Sequence, residues 1–201
     1  MISRRHFMLT GGAALVGCNV IPKVNDPIPL YTLSAVSAFE QSLPEVAWQL
    51  VVGTPVASAD LNSTRIALTR SPGVIEYFAK GAWADYAPIL LQDKLIESFE
   101  ASNAIVSVGR DAVGLRPDYV LQSDLRDFQA EYAGESPTAH LRLAAKLVRM
   151  PDRRIVANIL TEQKVAAAGN SLPQIVDAFD RAASQAFEEV VVKVLSAKTQ
   201  S

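Results

Sequence analysis

The chain has 201 residues, of which 49% are hydrophobic, and a formal net charge of −2. That length suits one domain with a core of its own, and a mildly acidic balance leaves no electrostatic footprint for nucleic acid. With a single cysteine in the chain, no internal disulfide can form.

The N-terminus reads first. Arg4 and Arg5 form a short basic region, and an apolar run follows from Phe7 to Val16, interrupted by Gly11 and Gly12. A secretory signal needs a charge held on the cytoplasmic side, a short apolar helix and small residues where the protease approaches the backbone. The run is too short for a permanent span, which takes ~20 residues. It ends in Leu15-Val16-Gly17-Cys18, which resembles the lipobox of bacterial lipoproteins. That resemblance implies cleavage after residue 17, a diacylglycerol thioether on Cys18 and acylation of the new N-terminus. Two or more acyl chains make a stable anchor, at about 0.8 kcal/mol per buried CH₂. Ser3-Arg4-Arg5-His6-Phe7-Met8 also resembles a twin-arginine signal. Both that route and general secretion fit.

Without the signal the chain has 17 basic and 21 acidic residues. Residues 18–30 contain Pro22, Pro27 and Pro29, and prolines without apolar patterning read as an extended tether. A single domain is expected over 31–197, with a tail at 198–201. Val46–Val52 is a short apolar run, and Thr64–Thr69 and Val74–Phe78 alternate; all three predict strands. A helix follows, with Asp85 as the expected cap and Pro88 in the first turn. Leu90, Leu91, Leu95 and Phe99 form its apolar stripe. Ile105–Val108 is another short apolar run.

The clearest pattern lies between Asp118 and Val165. Tyr119, Leu121 and Leu125 share one parity, whereas Phe128, Ala130 and Tyr132 share the other. A parity switch within one strand predicts a bulge near Arg126. Gly134-Glu135-Ser136-Pro137 is a turn signal, and Leu141, Leu143, Ala145 and Leu147 then alternate with polar neighbours. After Pro151-Asp152, Ile155, Ala157 and Ile159 continue the alternation, which predicts an antiparallel meander. Ser171 and Gln174 have capping-box spacing around Pro173, and an apolar stripe runs from Ile175 to Val194. The expected fold is α+β: a twisted sheet, mainly antiparallel or mixed, with two principal helices packed on one face.

Catalytic signatures are scarce. The chain has no phosphate-binding or dinucleotide glycine motif, no Cys-x-x-Cys and no Gly-x-Ser-x-Gly. His140 is the one histidine outside the signal. Its alternation with Arg142 and Lys146 places it on a polar strand face, where a solvated side chain is expected. Asp124, Arg126, Asp127 and Glu131 read as a charged face, and Arg149, Arg153 and Arg154 as solvated turn residues. Trp83 and Tyr86 are expected to pack in the core or as a hydrophobic staple. No catalytic residue, metal or cofactor is expected.

Two blocks stand out: Ala82-Trp83-Ala84-Asp85-Tyr86-Ala87-Pro88, preceded by Tyr77, and Asp118–Tyr132 with Asp124-Leu125-Arg126-Asp127-Phe128-Gln129-Ala130-Glu131-Tyr132. With Tyr31-Thr32-Leu33 and Thr64-Arg65-Ile66, they resemble the ABC-type transport auxiliary lipoprotein family. The resemblance implies a non-catalytic envelope component that partners a substrate-binding protein with a mammalian-cell-entry (MCE) domain. Through that protein it would serve an ABC permease and ATPase moving phospholipid or sterol-like lipid between membranes. It supplies no residue-level ligand motif. The residues themselves also leave room for an envelope lipoprotein hydrolase with an unrecognised site, or a structural lipoprotein. Asn19, in place of the Asp that retains enteric lipoproteins in the inner membrane, points to the periplasmic face of the outer membrane. Replacing Cys18 with Ala should abolish incorporation of labelled palmitate and leave uncleaved precursor or protein outside detergent-rich phases. Labelling equal to wild type would refute the anchor.

Overall fold

The computed structural model describes residues 27–111, 116–133 and 136–197. The signal, Cys18, Asn19, most of the tether, Gly134-Glu135 of the expected turn and the tail lie outside the described residues. Among the described residues nine strands and two helices occur in the order β1 (Leu30–Tyr31), β2 (Val46–Val52), β3 (Val56–Ala57), β4 (Arg65–Ser71), β5 (Val74–Trp83), α1 (Ala87–Ala101), β6 (Ile105–Gly109), β7 (Tyr119–Glu131), β8 (Thr138–Arg149), β9 (Arg154–Ala166) and α2 (Leu172–Leu195). The class is α+β, and of the two sheet types expected the mixed one is realised.

β7 is the spine. Along one edge it pairs antiparallel with β8, which pairs antiparallel with β9, giving the expected meander. Three strands share its other edge in series, all parallel to it: β2 at Tyr119–Leu121, β3 at Asp124 and Leu125, and β4 at Gln129–Glu131. β2 extends the sheet to β6, and β4 extends it through an antiparallel hairpin to β5 and then β1. That hairpin turns at Pro72-Gly73, where Gly73 has φ 77°, a conformation open to glycine at little cost. β5 runs on to Trp83, past the expected end at Phe78, because Tyr31 and Leu30 pair with its last two residues. Pro29, within the expected tether, already accepts a hydrogen bond from Ala82 N–H.

The bulge predicted near Arg126 is present. Leu125 faces Leu143, whereas Asp127 faces Arg142, so Arg126 is the extra residue. Consequently Leu121, Leu125, Phe128 and Ala130 all turn to one face and are buried. A second irregularity was not expected: Leu147 faces Ala157 but Val148 faces Ile155. It corrects the simple alternation assigned to Ile155, which is turned outward and 48% exposed.

Both helices cover the same face of the sheet. The stripe of α2, including Ile175, Phe179, Ala183, Ala186, Val190 and Val194, is wholly buried, and each large apolar side chain so buried contributes about 1.5–3 kcal/mol. Gln174 Oε1 accepts from Ser171 N–H at 3.3 Å and from Ser171 Oγ at 2.7 Å, so the predicted cap signal operates. α1 begins differently from expectation. Its cap is Tyr86 without a side-chain cap bond, and Asp85 instead accepts from Tyr86 N–H at 2.7 Å. Residues after β1 tie across both helices: Ser34 N–H donates to Asp180 at 2.6 Å and Val36 N–H to Ser98 Oγ at 3.0 Å.

Trp83 is 1% exposed and joins β5, β7 and α2. Its ring stacks on Phe128 at 5.2 Å and meets Phe179 edge-on at 5.4 Å, and those two rings lie 4.9 Å apart. Tyr86, by contrast, is 48% exposed and belongs to neither core nor staple, because the chain turns outward as it enters α1. Trp83→Ala should lower unfolding free energy by roughly 3–5 kcal/mol, measured by urea titration. A loss near zero would show that the aromatic cluster does not hold the layers together.

Candidate functional surface

With the helices on one face, the opposite face of β7, β8 and β9 is open, and the bulge at Arg126 divides it. Beyond the bulge it is charged. Across the three strands Asp127 faces Arg142 and Arg142 faces Glu162, and beside them Gln129, His140 and Lys164 stand in a second row. His140 Nδ1 lies 2.6 Å from Glu131 Oε1, and its Nε2 lies 2.9 Å from Glu162 Oε1. Lys164 donates to the other oxygen of Glu131 at 3.3 Å. Asp127 accepts from Arg142 Nε and, at 3.1 Å, from the Gln129 amide.

This corrects the sequence expectation for His140. It does sit on the polar face, yet it is 5% exposed, because long neighbours on β7 and β9 close over the short β8 position. Each ring nitrogen thus lies within hydrogen-bond distance of a carboxylate, Glu131 on one side and Glu162 on the other. The expected charged face is also split. Asp127 and Glu131 join the His140 network, whereas Arg126 is exposed on the bulge and Asp124 lies on the other side of it. Arg149 pairs with Asp152 at 2.6 Å across the turn, and Arg153 and Arg154 are exposed.

On the near side of the bulge the open face is more apolar. A cleft of about 650 Å³ is lined by Val51, Val56, Val120 and Met150, with Asp124 and Lys146 beside them. Leu160 and Ile155 of β9 are exposed large apolar side chains. Among the described residues no group of His, Cys, Asp and Glu is arranged to hold a metal ion. Among them, too, no helix is long and apolar enough to cross a membrane. The arrangement presents a mixed apolar and charged surface for contact.

A family model described as the ABC-type transport auxiliary lipoprotein component matches residues 31–191. The chain belongs to that family. The match takes in nearly all of the described domain, including both sequence blocks that carried the resemblance. Among solved structures, this family member is similar to protein XCC0632 from Xanthomonas campestris, with 31% identity over 83% of this chain and 94% of that one and a TM-score of 0.78. A hypothetical protein, CT253 from Chlamydia trachomatis, shares the fold at 6% identity, a TM-score of 0.52 and coverage of 76% and 98%. No curated protein matches the chain. Family membership places this auxiliary lipoprotein in the cell envelope with an ABC transport system.

The carboxylates of the network have a pH consequence. Burial pushes Glu131 up, but the hydrogen bond and charge of His140, with those of Lys164, outweigh it and hold the group below the usual carboxylate range. Burial likewise raises Asp127, and its bonds to Gln129 and Arg142 and the charge of His140 more than reverse this. A folded-state value below the unfolded one adds stability that is present above the unfolded value. That stability is lost as pH falls through the folded one. Glu131→Gln should therefore be less stable than wild type at neutral pH, and the gap should close below roughly pH 4. Melting temperatures across an acid titration decide this; a gap independent of pH would mean the ion pairs contribute nothing.

Proposed function

We propose that this chain is a non-catalytic accessory of an envelope lipid-transport system. Acyl chains on Cys18 hold it to the periplasmic face of the outer membrane. It engages an MCE-domain substrate-binding protein and, through that protein, an ABC permease and ATPase that move phospholipid or sterol-like lipid between membranes.

The observation that carries this reading is the family match over residues 31–191, which covers the domain and not a fragment of it. The surface chemistry supports it. His140, the chemically versatile side chain of the domain, has both ring nitrogens occupied by Glu131 and Glu162. The apolar part of the open face suits a protein or lipid contact better than proton transfer. Asp124 and Lys146 beside the cleft would give that contact orientation more than strength, since exposed charges are worth little on their own.

Affinity purification of the full lipidated chain from its host in mild detergent tests the partnership: an MCE-domain protein should co-purify. If none does, and deleting the gene leaves phospholipid distribution between the membranes unchanged, the reading is wrong. Asn19→Asp tests the location. In a host that sorts on this position, the variant should move to inner-membrane fractions and lose complementation. Wild-type protein found with inner-membrane markers would contradict the placement.

A further inference from the structure

Among the described residues β9 forms a boundary of the sheet and pairs only with β8. It is 13 residues long, whereas β6 at another boundary has 5 and β1 has 2. Ala167 N–H donates to Pro137 O at 2.9 Å. In the register that follows, odd-numbered residues of β9 exchange hydrogen bonds with β8. The even-numbered residues Asn158, Leu160, Glu162 and Lys164 therefore aim their backbone N–H and C=O groups at the free edge. Arg181 agrees with this phase, for its guanidinium donates to the Ala166 carbonyl at 3.1 Å and closes that end. Between Asn158 and Lys164 no proline or glycine blocks the edge. Natural edge strands are usually shortened, broken or covered, since an open one recruits another strand.

The side chains say which strand fits. Leu160 stands on the open face and is 54% exposed. Asn158, on the same face, is exposed, and among the described residues its side chain has no hydrogen-bond partner. Glu162 binds His140 through Oε1, and among the described residues its Oε2 has no partner. We propose that a second copy of this chain pairs with β9 edge to edge and antiparallel, with the two-fold axis at Leu160. In that register Leu160 meets Leu160 of the partner subunit, and Asn158 meets Glu162 of the partner subunit, whose free oxygen accepts from the amide. Outward-facing residues meet outward-facing residues, each such pair exchanging two backbone hydrogen bonds, and no like charges are opposed. An axis at Glu162 would set two carboxylates together, which is destabilising in a cross-strand pair. An axis one residue further along would need the Ala166 carbonyl that Arg181 holds.

The test uses the mature chain from residue 18 with Cys18→Ser, so that acyl chains do not drive association and no other thiol is present. Gel filtration with light scattering should give the mass of a dimer. Leu160→Lys, which places two ammonium groups on the axis, should give a monomer with an unchanged circular dichroism spectrum. Mild oxidation of Leu160→Cys should give a covalent dimer, since facing Cα atoms about 5.5 Å apart lie within disulfide reach. Glu162→Cys should not cross-link, because its two copies stand roughly 13 Å apart along the strands. A wild-type monomer at the highest soluble concentration overturns the proposal. So does a dimer untouched by Leu160→Lys, or one that cross-links as readily through residue 162 as through residue 160.

Discussion

Tyr119–Glu131 of β7 hydrogen-bonds to four other strands, β8 along one edge and β2, β3 and β4 in turn along the other. Everything else in the domain is placed by that strand. Sharing one edge among three strands splays the sheet into two arms, β2–β6 at one end and β4–β5–β1 at the other. The arms cannot converge again on the sheet, so the helices bridge them: α1 packs near β2 and β6, α2 near β8, β9 and β5, and the two against each other. The cost of closing such long-range parallel pairings is offset by the core that the helices seal. The ring cluster of Trp83, Phe128 and Phe179 fixes one arm to the spine and to α2.

The bulge at Arg126 makes that spine compatible with its own sequence. Without the extra residue, Asp127, Gln129 and Glu131 would point beneath the helices and Phe128 would face water. With it, each polar group reaches the open face, where buried carboxylates need partners. His140, Arg142 and Lys164 supply them from β8 and β9. The charged patch is thus a consequence of strand geometry, and it reads as a means of keeping a long sheet face soluble and ordered. For an accessory of a transport system, a stiff sheet with one sealed face and one open face is a platform for contact.

The proposed anchor and the domain are separable devices. The proposed lipidation depends on the four residues Leu15 to Cys18 and asks nothing of the fold. Among the described residues the first strand begins at Leu30, and Pro29 already bonds to β5. With the proposed anchor at Cys18, the length of chain between that residue and the strand would set how far from the membrane the open face can work.

Local chemistry was legible from the residues alone. Period-two alternation marked β7, β8 and much of β9, the parity switch located the bulge, and Ser171, Pro173 and Gln174 marked the start of α2, since each depends on neighbours within a few positions. Pro72-Gly73 was an equally local turn signal that would have joined β4 to β5. What the tertiary structure alone decided involves partners distant in the chain. Parallel pairing of β2, β3 and β4 with β7 leaves no mark on a strand's own pattern, because direction is a property of two strands. The burial of His140 has the same origin: Glu131 lies nine residues before it and Glu162 lies 22 after. Alternation assigns a side chain to a face, but only the strands alongside decide whether water reaches it.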